Sequence, residues 1–84
     1  MVLKEEEYQE MREKIGRGIK IRRLRKGFRQ IEFAKKVGLS QTHFSNAENG
    51  HVMLSLKKMF EVAELLECTM DDLLHPDRYF ESMR

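Results

Sequence analysis

Residues 30–50 read QIEFAKKVGLSQTHFSNAENG, and this stretch decides the fold. Phe33, Ala34 and Val37 fall at i, i+1 and i+4, which puts them on one face of a helix. Gly38 follows at once, where a chain that must turn sharply needs a residue tolerant of positive φ. Ser40 is a good N-cap for a second helix, in which Phe44 and Ala47 stand three apart and face inward. Asn49 and Gly50 are placed to end it. The pattern therefore predicts two short helices joined by a tight turn. Between the inward positions lie Gln41, Thr42, His43, Ser45 and Asn46, an outward face that is polar and uncharged. Ordinary solvent faces carry Lys and Glu, whereas amides and hydroxyls suit a surface that reads base edges.

Upstream, residues 4 to 26 predict one helix, since Tyr8, Met11, Ile15 and Ile19 recur at spacings of three and four. Glu10–Lys14 and Glu13–Arg17 are i,i+4 pairs in the favourable orientation. Gly16 and Gly18 lower helix propensity, so an interruption is expected there. Ile21 and Leu24 lie off the main stripe, either packing under Phe28 or forming an exposed apolar strip. Gly27 ends the helix.

Downstream of Gly50, the loop His51–Leu54 is apolar. Ser55 is a candidate cap for a helix whose inward stripe is expected at Leu56, Met59, Phe60, Ala63 and Leu66. Thr69 and Asp72 resemble a capping box opening a short fifth helix with Leu73 and Leu74, and Pro76 is expected to stop it. Tyr79, Phe80 and Met83 make an apolar tail.

Eighty-four residues make one small domain, and such a chain buries only about 60% of its unfolded surface, so it gains from a partner. Charged residues are 36% and hydrophobic ones 40%, which fits a helical domain rather than disorder. No run has the length of a membrane helix and no signal peptide is visible. The single Cys68 cannot form an internal disulfide and reads as a small core residue, so a cytoplasmic location is expected. The net charge of +2 hides an asymmetry: residues 12–36 hold eleven Lys or Arg against Glu13 and Glu32, a local excess of +9. A basic stretch beside a polar recognition face favours contact with a polyanion.

Catalytic and metal chemistry find no support. His43, His51 and His75 have no Cys or second His at ligand spacing, Cys68 has no evident His–Asx pair, and no glycine-rich phosphate loop is present. Asp71 and Asp72 at a helix start complement its dipole. Neither an enzyme, a cofactor nor a metal is expected.

With these residues in register, the chain resembles the phage repressor and Cro-like family of DNA-binding proteins, the XRE type. The resemblance rests on Gln30, the Ala34 to Gly38 spacing, Leu39–Ser40, Phe44–Ser45 and Glu48–Asn49–Gly50. It continues through Ile15–Gly16 and Ile19 upstream, and through Ser55–Leu56 and Val62 to Leu74 downstream, covering roughly residues 13 to 74. It implies an all-α, five-helix, lambda-repressor-like DNA-binding domain at 13–75. Residues 1–12 are then an N-terminal helical extension and 76–84 a C-terminal tail.

The resemblance further implies that the helix from Gln41 to Asn49 enters the major groove of double-stranded DNA. Gln41 and Thr42 at its N-terminus, with Ser45 and Asn46 one turn on, are the candidate base readers. Gln30 is implied to bind a phosphate, and Arg29, His43, Lys35 and Lys36 are further backbone candidates. Arg29 departs from the family, which has a capping Ser or Thr there; the loss costs about 1 kcal/mol unless a phosphate offsets it. Glu48, expected among inward residues, needs a partner, and the family's arrangement counts back to Arg23. The competing reading gives Arg23 to a phosphate and leaves Glu48 exposed. Family members commonly act as homodimers on palindromic operators. Leu73, Leu74, Tyr79, Phe80 and Met83 are the expected interface. The expected function is transcriptional regulation, with repression the expected sense. The alternative is an antitoxin-like module that holds a partner protein, for which the long N-terminal helix and the aromatic tail would also serve.

Overall fold

Five helices and their connections account for residues 2–77, the part of the chain that the computed structural model describes. They are α1 (Glu5–Arg25), α2 (Gln30–Lys36), α3 (Gln41–Glu48), α4 (Leu56–Leu65) and α5 (Met70–Leu74). The core is one cluster, built on Ile15 and Ile19 of α1, Phe33 and Ala34 of α2, Phe44 and Ala47 of α3, Met59, Val62 and Ala63 of α4, and Leu73 of α5. Phe33 and Phe44 are fully buried and stack with centroids 5.1 Å apart, which binds α2 to α3. Phe28 meets the edge of Phe33 at 5.4 Å and closes that end of the core.

The expected break at Gly16 and Gly18 does not occur: α1 runs unbroken for 21 residues. The glycines serve packing instead. A Cβ on Gly16 would stand 2.4 Å from the Ala47 carbonyl oxygen, and one on Gly18 would stand 2.8 Å from the Pro76 ring. Backbones of α1 and α3 thus approach closer than any side chain allows. Charge also suits the helix: Glu5, Glu6 and Glu7 occupy its first turn and Arg22, Arg23 and Arg25 its last. Because α1 continues through residue 12, the extension is the first part of the same rod. Tyr8 is half-buried there, while Met11 remains exposed.

The turn from α2 to α3 follows from its residues. Gly38 adopts φ 69°, its N–H bonds to the Lys35 carbonyl, and the Leu39 N–H reaches back to the Ala34 carbonyl. These two bonds satisfy carbonyls that the helix end leaves open. Ser40 then starts α3, its Oγ accepting from the His43 N–H at 3.1 Å. Lys58 adds a clamp from α4, donating to the Val37 carbonyl at 2.6 Å and to Glu61 at 3.0 Å.

The stripe on α4 differs from expectation. Met59, Val62, Ala63 and Leu66 face inward, whereas Leu56 is 67% and Phe60 56% exposed. At about 100° per residue, Phe60 lies more than a quarter turn round from a stripe spaced three, four and seven from Met59. Ser55 caps α4 through the Lys58 N–H, and Thr69 and Asp72 exchange both bonds of a capping box at 3.0 Å. Helical backbone resumes at Pro76 after a break at His75, so the proline starts a turn as well as following the end of α5. Ile21 is half-buried and Leu24 is 56% exposed.

Candidate nucleic-acid interface

Gln41, Thr42, Ser45 and Asn46 of α3 line one shallow depression of about 230 Å³, together with Gln30 of α2. Gln41 and Thr42 are exposed, and Ser45 and Asn46 are half-buried at its floor. Among the described residues no charged side chain lines it. The surface offers amide and hydroxyl groups that both donate and accept, the chemistry needed to match base edges. His43 is exposed on α3. Lys35 and Lys36 are exposed in the last turn of α2. Arg29, at the N-cap of α2, makes no capping bond, and its guanidinium lies 3.7 Å from Glu32 on the surface.

Behind the depression stands a buried polar chain. Arg23 and Glu48 are each only 4% exposed. Arg23 Nε donates to Glu48 Oε2 at 2.7 Å, Nη2 donates to Oε1 at 3.2 Å, and Nη1 donates to the Phe28 carbonyl at 2.7 Å. A two-point contact of this kind fixes direction as well as distance. Gln30 joins it, its Nε2 donating to Glu48 Oε1 at 2.8 Å. Gln41 in turn donates from Nε2 to Gln30 Oε1 at 3.4 Å. A continuous line of bonds therefore runs from α1 through the end of α3 and the start of α2 to the surface. One N–H of the Gln30 side-chain amide is engaged inside this line, which leaves its second N–H and the backbone N–H groups at the start of α2 as donors that a phosphate would suit.

Two supports of α3 had no sequence signal. Arg12 donates from Nε to the Gly50 carbonyl at 3.1 Å and lies 4.8 Å over the Tyr8 ring. Gly50 sits so close to α1 that a Cβ there would meet Glu13 at 2.6 Å. The C-terminal end of α3 is thus braced against α1, while its N-terminal end stays open.

The expected dimer residues divide. Leu73 is 2% exposed and belongs to the core, so it offers nothing to a partner; α5 is so short that one of its two leucines must fill the space beside α1 and α4. Leu74 is 46% exposed. Tyr79, Phe80 and Met83 lie outside the described residues. Cys68 is half-buried against the core, and burial pushes its thiol above the ordinary range, with Arg22 opposing. Among the described residues no helix is long and apolar enough to cross a membrane.

Two short helices at a tight turn, the second presenting an uncharged polar face, define a helix-turn-helix DNA-binding module. A family model described as helix-turn-helix matches residues 19–73, and the chain belongs to this XRE-type, Cro/C1-like family of DNA-binding transcription regulators. It is 37% identical over 60 residues to the "ImmF control region 10 kDa protein" of Bacillus phage phi105, an alignment covering 71% of this chain and 67% of that one. It is 36% identical over 56 residues to "Antitoxin HipB" of Escherichia coli, covering 67% of this chain and 60% of the relative. The fold is similar to that of a hypothetical transcription factor from Neisseria, with a TM-score of 0.78, 25% identity, and coverage of 92% of this chain and 88% of the other. The fold is also shared with the clp gene regulator ClgR of Corynebacterium glutamicum, at a TM-score of 0.72 and 21% identity over 87% of this chain and 85% of that one.

Proposed function

We propose that the chain binds duplex DNA sequence-specifically as a homodimer and regulates transcription, with α3 in the major groove and repression as its effect. The observation that carries this reading is the depression formed by Gln30, Gln41, Thr42, Ser45 and Asn46. Polar, uncharged and open at the N-terminal end of α3, it has the composition of a base-reading surface. Gln30, Arg29, His43, Lys35 and Lys36 are the proposed phosphate contacts beside it. Two-fold pairing would set half-sites about 34 Å apart. Leu74 is the described part of the proposed interface, which continues into Tyr79, Phe80 and Met83. Residues 13–75 are the proposed DNA-binding unit, and 1–12 brace it. The likeness to an antitoxin supports a second reading, in which a partner protein occupies part of the surface and DNA binding accompanies it.

Selection of bound sequences from a random duplex pool, with the size of the free protein measured alongside, tests the proposal. A palindromic motif and a dimeric mass are expected. Asn46→Ala should relax the motif at the base pair it reads, by about 1–3 kcal/mol of discrimination. A motif unchanged by Asn46→Ala would move the base-reading face elsewhere.

A further inference from the structure

We infer that Glu48, though buried and remote from any base, is a specificity-determining positioning residue: it sets the direction of the Gln30 amide, and through it the donor and acceptor order that Gln41 presents to DNA. The inference rests on the DNA-binding reading above.

The argument starts from what each group can do. A carboxylate paired with a guanidinium only accepts hydrogen bonds. Arg23 holds both oxygens of Glu48, and Oε1 also receives Gln30 at 2.8 Å. An amide, by contrast, has a donating and an accepting end and can be turned over at little steric cost. Next to Glu48, only one of the two orientations is favourable. The NH2 group of Gln30 must face the carboxylate, so its Oε1 faces Gln41. Gln41 must then offer NH2 to Gln30, as its 3.4 Å contact shows. One Gln41 amide proton is used in this way. The second proton and Gln41 Oε1 remain for the groove, in a fixed order along it.

That order matches adenine, which presents an N7 acceptor beside an N6 donor. Guanine presents acceptors at both places, so its O6 would face Gln41 Oε1. A polarity fixed at a buried carboxylate is therefore expressed at the surface as a preference between two purines. Without Glu48 the two glutamines could reverse together, and the preference would lose its cause.

Glu48→Gln separates polarity from shape. The new amide has two directions: its oxygen either keeps Arg23 Nη2 and Gln30, or keeps the short bond from Arg23 Nε and turns its NH2 to Gln30. In the second direction Gln30 turns its carbonyl inward and Gln41 follows, an arrangement that the carboxylate excludes. At the one base pair that Gln41 reads, adenine is expected to lose part of its advantage of roughly 5- to 150-fold. Guanine should gain against adenine there, with the rest of the motif unchanged. Gln30→Met, which leaves the Arg23–Glu48 pair intact, should erase the preference without favouring guanine. Binding of the full chain to a duplex set varied at that base pair gives these ratios, below the melting temperature of each variant. In parallel, spectra of the free protein with 15N-labelled glutamine should show a Gln30 side-chain proton shifted by its carboxylate partner. In Glu48→Gln that signal should return to the range of a solvated amide. If both variants weaken all duplexes in proportion and keep the adenine preference, the inference is overturned while the DNA reading stands. Should no duplex bind the native chain, the DNA reading falls and takes the specificity claim with it. A Gln30 signal indifferent to Glu48→Gln overturns the polarity relay whatever the DNA result.

Discussion

Glu48 must have its charge answered where it stands, because at 4% exposure water does not reach it. Arg23 supplies the charge, and three further contacts, to Phe28, to Gln30 and through the second guanidinium nitrogen, take up the remaining hydrogen-bonding capacity. Such a pair adds little compared with well-packed apolar residues, but breaking it from one side strands a charge. Arg23→Met is therefore expected to cost about 3–5 kcal/mol and Glu48→Gln somewhat less, since the amide retains one acceptor for Arg23. The double variant should melt above the temperature that the sum of the singles predicts, by a coupling of about 0.5–3 kcal/mol. Small, additive effects in thermal melts would mean that the pair is not what holds α3 against α1. Residue chemistry made some of this legible in advance. A carboxylate four places after an inward Phe44 and next to Ala47 has to be paired, and that much is visible in the chain. That Gln30 shares the carboxylate was not visible, because the contact spans 18 residues and a glutamine at a helix start has other uses. Arg12 gave no signal either, since one arginine among eleven basic residues does not announce a bond to the Gly50 carbonyl.

At the level of helices, the ends explain more than the middles. Four helices finish on one device, in which two N–H groups fold back onto the last carbonyls and one residue takes positive φ. Gly27, Gly38 and Gly50 fill that place after α1, α2 and α3, and Glu67 fills it after α4 at φ 57°. A side chain in that region costs about 1–2 kcal/mol. Lys26 lies 3.1 Å from Glu67, but the carboxylate is 77% exposed, so the ion pair offsets little of it. Glu67→Gly is expected to stabilise the domain by about 0.5–1 kcal/mol after the added freedom of the unfolded chain is counted. A gain of about 4 °C in melting temperature at the upper end of that range would match the size of the domain. A fall in melting temperature would show that the Lys26 contact outweighs the strain. Glycines at helix ends and capping serines were readable because they act on their immediate neighbours. Spacing alone misread Gly16, whose use is the approach of two backbones, and Phe60, whose face depends on how α4 is rotated in the assembled fold. Both are tertiary facts carried by elements distant in sequence.

Over the whole molecule, the basic excess between residues 12 and 36 is only partly available to a ligand. Arg23 is spent on Glu48, and Lys14, Lys26 and Arg29 lie within 4 Å of Asp77, Glu67 and Glu32. The last three pairs are on the surface, where each is worth about 0–1 kcal/mol, so a phosphate can displace the carboxylate at small cost. Arg17, Lys20, Arg25, Lys35 and Lys36 are exposed as well. The domain therefore carries more mobile cation than its net charge of +2 suggests, and it carries it on α1 and α2 rather than on α3. Affinity and sequence preference should then separate under salt. A dimer that neutralises about 6–10 phosphates is expected to lose about 10³–10⁵ in affinity between 50 and 200 mM salt. Substituting Lys35 with Gln should lower the slope of log affinity against log salt by about 1 per protomer that contacts a phosphate, and should do so equally on all sequences. Gln41→Ala should leave the slope alone and change which duplex is preferred, because its contact releases no counterion. Fluorescence anisotropy on a selected duplex and on a scrambled one, at four or more salt concentrations, measures both quantities at once. A flat salt profile would remove the basic stretch from the interface, and a Gln41→Ala variant that altered the slope but not the preference would reverse the roles assigned to α2 and α3.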